Sequence, residues 1–141
     1  VKTVRALTVR QPWASLIASG VKPVENRTWP VPATWAERGP LLIHAGAAVD
    51  RAAYGYEHVG RALFETVGNE ELPTSAIIAV VGSVRAHRDG IGGHCEPWGV
   101  DDCWHWVLSD VRRLPRPVPA KGRLGLWVPD AGLLAAVEAQ R

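Results

Sequence analysis

The sequence predicts an α+β domain built on a small curved sheet or barrel, and three observations carry that prediction. Apolar runs of strand length recur along the chain, the longest from Ala76 to Val81. They are interrupted by only two or three stretches of helical spacing, instead of alternating with helices one for one. At 141 residues, 47% hydrophobic and 21% charged, the chain has the size and composition of one globular domain over residues 1–141. No apolar run is long enough to span a bilayer, so no membrane partner is expected.

The elements follow in order. Ala6 to Val9 reads as a short strand. Pro12 suits the first position of a helix, which continues from Trp13 to Ser19 and stops at Gly20, a residue that readily takes the left-handed conformation. Val24 to Trp29 is predicted extended, and Pro30, Pro32 and Pro40 bound a loop. Leu41 to Ala45 reads as a buried strand. Asp50 is predicted to cap a helix from Arg51 to Val67 with Ala53, Tyr56, Gly60, Leu63 and Val67 on one face. Ala76 to Val81 is a strand that can run on to Ala86, and His87 to Cys103 a long loop of the kind that often serves function. Trp104–Leu108 and Leu124–Val128 read as strands, and Asp130 caps a closing helix. The predicted core comprises Leu7, Val9, Leu42, Ile43, Ile77, Ile78, Val80, Val107, Leu126 and Trp127.

The formal charge of +2 is too small to announce a nucleic-acid binder, but its distribution is uneven. Residues 1–38 hold six basic and two acidic side chains, and residues 39–83 two basic and five acidic. A second basic stretch, Arg112, Arg113, Arg116, Lys121 and Arg123, contains no acid. Thirteen of the sixteen basic residues are Arg, which suits bidentate contact with phosphate or a base edge and also fits a GC-rich coding genome. Seven Trp supply either core volume or flat faces for stacking a base.

The opening residues carry no apolar signal-peptide core, so Cys95 and Cys103 are expected reduced in a cytoplasmic setting. Phosphate-binding loops, zinc-protease helices and nucleophile elbows are absent. His87, His94, Cys95, Cys103 and His105 include zinc-type ligands, but their spacing matches no common module. No metal site and no cofactor are therefore assigned. His44, ending a buried strand, reads as a core histidine.

The segments Leu7 to Ile17 and Gly20 to Trp29, followed by Gly39 to Ala45, Trp104 to Leu108 and Gly122 to Trp127, resemble the ASCH domain family, which belongs to the PUA-like superfamily of small β-barrels. The resemblance implies a PUA-like barrel with flanking helices and a cleft between them that takes RNA, DNA or a modified nucleobase. It also implies varied activities: some members resemble amidohydrolases of N4-acetylcytidine, some are ribonucleases, and others only bind nucleic acid. Fold alone does not choose among these.

In an extended Val24–Trp29, alternate residues share a face, so Glu25, Arg27 and Trp29 point one way with Lys22 close by, and Asn26 and Thr28 point the other way. Glu can accept from an exocyclic amine such as cytosine N4, Arg27 and Lys22 can meet phosphate, and Trp29 or Trp13 can stack a base. Arg10 and Gln11 sit at the strand-to-helix junction, where side chains line clefts. The competing structural reading pairs Glu25 with Lys22 or Arg27 as an ion pair, puts both Trp rings in the core and makes Gln11 a helix cap. The nucleic-acid-binding set is thus Arg10, Gln11, Trp13, Lys22, Glu25, Arg27 and Trp29, serving RNA, single-stranded DNA or a nucleoside. The alternative is a hydrolase, either an amidohydrolase or a metal-assisted ribonuclease, with Lys22 and Glu25 as its catalytic residues. The amidohydrolase pattern implied by the resemblance is Gly-x-Lys-x-x-Thr-x-Arg. Lys22 and Arg27 match it, but Glu25 occupies the place of the threonine nucleophile, which leaves a general-base role toward water. Nothing in the sequence points to a protein partner.

Overall fold

The computed structural model describes residues 3–89 and 95–140. Its strands are β1 (Arg5–Gln11), β2 (Val24–Arg27), β3 (Leu41–Val49), β4 (Ala76–Asp89), β5 (Cys103–Pro119) and β6 (Leu126–Trp127), and its helices α1 (Trp13–Ala18), α2 (Glu57–Thr66) and α3 (Ala131–Glu138). The strands form one mixed sheet in the order β2-β5-β4-β3-β1-β6. β1 and β3 are parallel and every other pairing is antiparallel. The end strands β2 and β6 do not pair, so the hydrogen bonding of the described residues does not close into a barrel.

Both faces of the sheet are covered. Leu7, Val9, Leu41, Ile43, Ala79, Val81, Trp106 and Leu108 pack with α1 and Trp35 on one face, while Ala6, Leu42, Ile77, Val80, Leu114, Val118 and Trp127 pack with Val137 of α3 on the other. A strand covered on both faces needs apolar residues at consecutive positions, which is why β3 opens as Leu41-Leu42-Ile43. Between Ile77 and Ala79 the register slips, so Ile78 and Ala79 both serve the first face. Of the predicted core, Val107 and Leu126 are half-buried and the others are buried. His44 is buried, its Nε2 bonded to the Ala120 carbonyl at 2.6 Å.

Several elements depart from the sequence expectation. The helix expected over 51–67 is a 3-10 turn, Arg51–Gly55, followed by α2, because Tyr56 is extended and breaks the run after Gly55. Asp50 does not cap it, since its carboxylate accepts from Trp13 Nε1 at 2.9 Å. The helix consequently buries Val59 and Ala62, leaving Tyr56 and Gly60 exposed. The long loop expected over 87–103 shortens, with β4 reaching Asp89 and β5 starting at Cys103. His94, Gly90, Gly92 and Gly93, assigned to that loop, lie outside the described residues.

β5 runs to Pro119 instead of stopping at Leu108. β2 flanks only Trp104–Val107, so Pro115, Pro117 and Pro119 fall where β5 is an edge, and edges tolerate the missing N–H groups. The last strand shrinks to β6, with Gly125 at φ +67° just before it. Pro12 is the N-cap of α1 instead of its first residue, Gly20 takes φ +86° beyond its end, and Asp130 Oδ1 caps α3 by accepting from Leu133 N–H at 2.8 Å.

Candidate nucleotide-binding cavity

A cavity of about 620 Å³ opens between β1, β2, the start of α1, the 50–58 stretch and residues 97–100. Arg10, Trp13, Lys22, Glu25 and Arg27, all singled out from the sequence, line it together. Its other walls come from Asn26, Asp50, Tyr56, His58 and Trp98.

Glu25 is the hub of the polar wall. Only 7% exposed, it meets Lys22 Nζ through Oε1 at 3.3 Å and Arg27 Nη2 through Oε2 at 2.9 Å. Arg27 also donates from Nε to Oε2 at 3.0 Å and from Nη2 to the Thr8 carbonyl at 2.8 Å. That last bond joins β2 to β1, strands separated in the sheet by β5, β4 and β3. The sheet therefore curls until β2, at one end, meets β1, next to the other end, beside the cavity.

Lys22 is 2% exposed. Its ammonium donates to the Val24 carbonyl and to Glu25, and lies 5.5 Å from the centroid of the Trp13 ring, within cation–π range. Burial pushes the Lys22 pKa below its ordinary 10.5, an effect that the Glu25 carboxylate opposes and the Arg27 charge reinforces.

A lowered lysine pKa means the folded chain binds fewer protons than the unfolded chain between the lowered value and 10.5. Stability from this group rises with pH across that window. Lys22→Met removes the titrating group, so the stability difference between wild type and variant should shift toward wild type as pH climbs toward 10.5. Urea unfolding at stepped alkaline pH reads it. A difference that stays flat would mean that Lys22 titrates alike in both states.

The geometry bears on three expectations. Gln11 is fully buried, its amide bonded to Ser15 Oγ at 2.7 Å, to the Pro73 carbonyl at 2.8 Å and to the Ser15 N–H at 2.9 Å, so it braces the start of α1 behind the cavity. Trp29 lies beyond the end of β2 and packs edge-on against Trp106, with ring centroids 5.0 Å apart, leaving the cavity wall without it. Lys22 donates to Glu25 and the Val24 carbonyl, and Arg27 commits Nε and Nη2 to Glu25 and the Thr8 carbonyl, so Arg10, exposed on the cavity rim, is the cation most open to an incoming anion.

Asn26 was expected on the opposite side of its strand, yet it too borders the cavity. Its Nδ2 donates to the Trp98 carbonyl at 2.9 Å and its Oδ1 accepts from Val100 N–H at 2.9 Å, so it ties residues 98–100 down as a wall. Trp98 meets His58 edge-on at 5.0 Å. Tyr56, His58 and Trp98 escaped the sequence reading because they arrive from segments far from Glu25; a Trp within an otherwise polar loop was the available signal.

The arrangement offers apolar aromatic walls, a carboxylate acceptor held in place and a buried lysine beside it. Such a cavity is the kind that takes a flat heterocycle oriented by a few polar groups.

The ASCH domain family model matches residues 7–113. The ASCH protein from Zymomonas mobilis is similar in structure, with a TM-score of 0.56 at 13% identity over 99% of this chain and 96% of that one. Two point variants of that protein give TM-scores of 0.56 and 0.55, at 13% and 14% identity, over 97% and 99% of this chain and 97% and 98% of theirs. At these identities the likeness concerns the fold. No curated protein matches the chain. No helix among the described residues is long and apolar enough to cross a membrane. The family match spans three quarters of the sequence and includes the whole Lys22–Glu25–Arg27 wall, so this chain belongs to the ASCH domain family.

Proposed function

We propose that the cavity binds one nucleotide of an RNA or single-stranded DNA, or a modified nucleoside. The observation that carries this reading is the Lys22–Glu25–Arg27 cluster buried in the wall of a cavity that also presents Trp13 and Trp98. Glu25 has both oxygens engaged by cations, yet a carboxylate has about four lone-pair sites, so it can still accept from a base amine. The two indoles supply stacking surface, and exposed Arg10 takes the adjoining phosphate. Family membership favours a nucleic-acid ligand in the same direction.

One observation favours a second reading, hydrolysis of an N4-acylated cytidine. Lys22, with its pKa lowered by burial, sits 3.3 Å from Glu25 Oε1, a pairing able to pass a proton to or from a water nucleophile.

The test is a titration of RNA, single-stranded DNA, duplex DNA and free nucleosides, scored for both affinity and turnover. Single strands are expected to bind with an affinity that falls with salt. Arg10→Ala should reduce the slope of log affinity against log salt by about 0.7, the share of one phosphate contact on a single strand. Failure of every nucleic acid and nucleoside to bind, at any salt, would overturn both readings.

A further inference from the structure

We propose that His87, Cys95 and His105 form a zinc(II) site behind the Trp98 wall, distinct from the cavity and independent of what the cavity takes. One candidate ligand atom from each residue lies within 4.8 Å of the others. Cys95 Sγ and His87 Nε2 are already 3.5 Å apart. In a tetrahedral zinc site with Zn–N near 2.0–2.1 Å and Zn–S near 2.3 Å, adjacent nitrogen and sulfur ligands are separated by about 3.5 Å. His87 and His105 face each other as cross-strand partners on β4 and β5, their rings 5.2 Å apart.

The protonation pattern agrees with ligation. His105 Nε2 lies 2.7 Å from the Val100 carbonyl, an acceptor only, so that nitrogen carries the hydrogen in the neutral ring. Nδ1 is then the nitrogen that offers a lone pair. A ligating histidine held by its other N–H on a backbone carbonyl is the usual supporting arrangement around zinc.

The donor set selects the ion. Two imidazoles and a thiolate suit zinc and its neighbours, whereas magnesium and calcium take oxygen. On binding, the Cys95 S–H bond breaks, its proton leaves to solvent and the S–Zn bond forms, with no change of oxidation state. Three protein ligands leave a fourth position for water. Sequence spacing did not reveal this site because its ligands come from β4, β5 and the intervening turn instead of a compact knuckle.

The placement gives the ion a structural task. Cys95 begins the turn whose carbonyl accepts from Trp98 N–H at 3.0 Å and Gly99 N–H at 2.8 Å. Residues 98 and 100 are tied to Asn26 on the cavity side. A metal at Cys95 would therefore anchor the far side of the same wall to the sheet.

The test uses the untagged full chain, stripped with chelator and titrated with cobalt(II) alone, then with zinc(II) in competition. One equivalent of cobalt is expected, with a thiolate-to-cobalt charge-transfer band that zinc abolishes and magnesium leaves untouched. Cys95→Ser should remove the band and weaken zinc at least about 100-fold, beyond what loss of a supporting contact costs. His87→Gln should weaken zinc similarly while retaining the band. Both positions are only half-buried, and circular dichroism confirms that each variant is folded. The proposal is overturned by a folded wild type that binds neither ion, by cobalt binding without a thiolate band, or by zinc affinity unchanged in both variants.

Discussion

Glu25→Ala is expected to lower folding stability by about 3–5 kcal/mol, the loss typical of stranding one partner of a buried ion pair. The variant leaves Lys22, 2% exposed, with a backbone carbonyl and the Trp13 ring but no carboxylate, and it frees Arg27 Nε and one contact of Nη2. Adding Lys22→Met to Glu25→Ala removes the stranded ammonium, so the double variant should recover part of the loss. Chemical denaturation of the single and double variants gives the coupling directly. A single variant within about 1 kcal/mol of wild type would place the pair among ordinary surface ion pairs and remove Glu25 as the hub.

How much of this wall was legible beforehand follows from where its members sit in the chain. Glu25 and Arg27 alternate on one strand, so period two alone placed them on a common face, and Lys22 reaches them from the turn only three residues before Glu25. Trp13 and Arg10 flank the β1–α1 junction, another local feature. Trp98, His58 and Asp50 depend on contacts across tens of residues, which periodicity does not encode. Gln11 allowed two readings, cleft lining or helix cap, because a junction residue can turn either way, and here three hydrogen bonds turn it inward onto the first turn of α1.

The fold was legible on the same terms. β1, β3 and the start of β4 are apolar runs that declare themselves, and α1 carries Pro12 before it and Gly20 after it. β5 beyond Leu108 is rich in Arg and Pro and has no strand propensity of its own. It is extended because β4 pairs along it as far as Pro119, a tertiary cause that local propensity does not anticipate. Asp50 fails as a helix cap for a similar reason: Trp13, 37 residues before it in the chain, takes its carboxylate.

Glu25→Gln is expected to separate recognition from hydrolysis at the cavity. The substitution preserves size but replaces an acceptor-only carboxylate with an amide that also donates. Under recognition of a base amine, the variant should lose about 1–3 kcal/mol of discrimination between bases with and without that amine, a five- to 150-fold change. Its salt slope should stay as in wild type, because the proposed phosphate contact is made by Arg10. Under hydrolysis, affinity should survive while turnover of an N4-acylated cytidine falls roughly 10²–10⁴-fold, the range for removing a general base. Both measurements belong well below the unfolding temperature, since the amide also weakens the hold on Lys22 and Arg27. A variant that is less stable but binds and turns over every ligand as wild type does would reduce Glu25 to a counter-ion for buried Lys22 and half-buried Arg27, and the cavity would lose its proposed reader and its proposed base together.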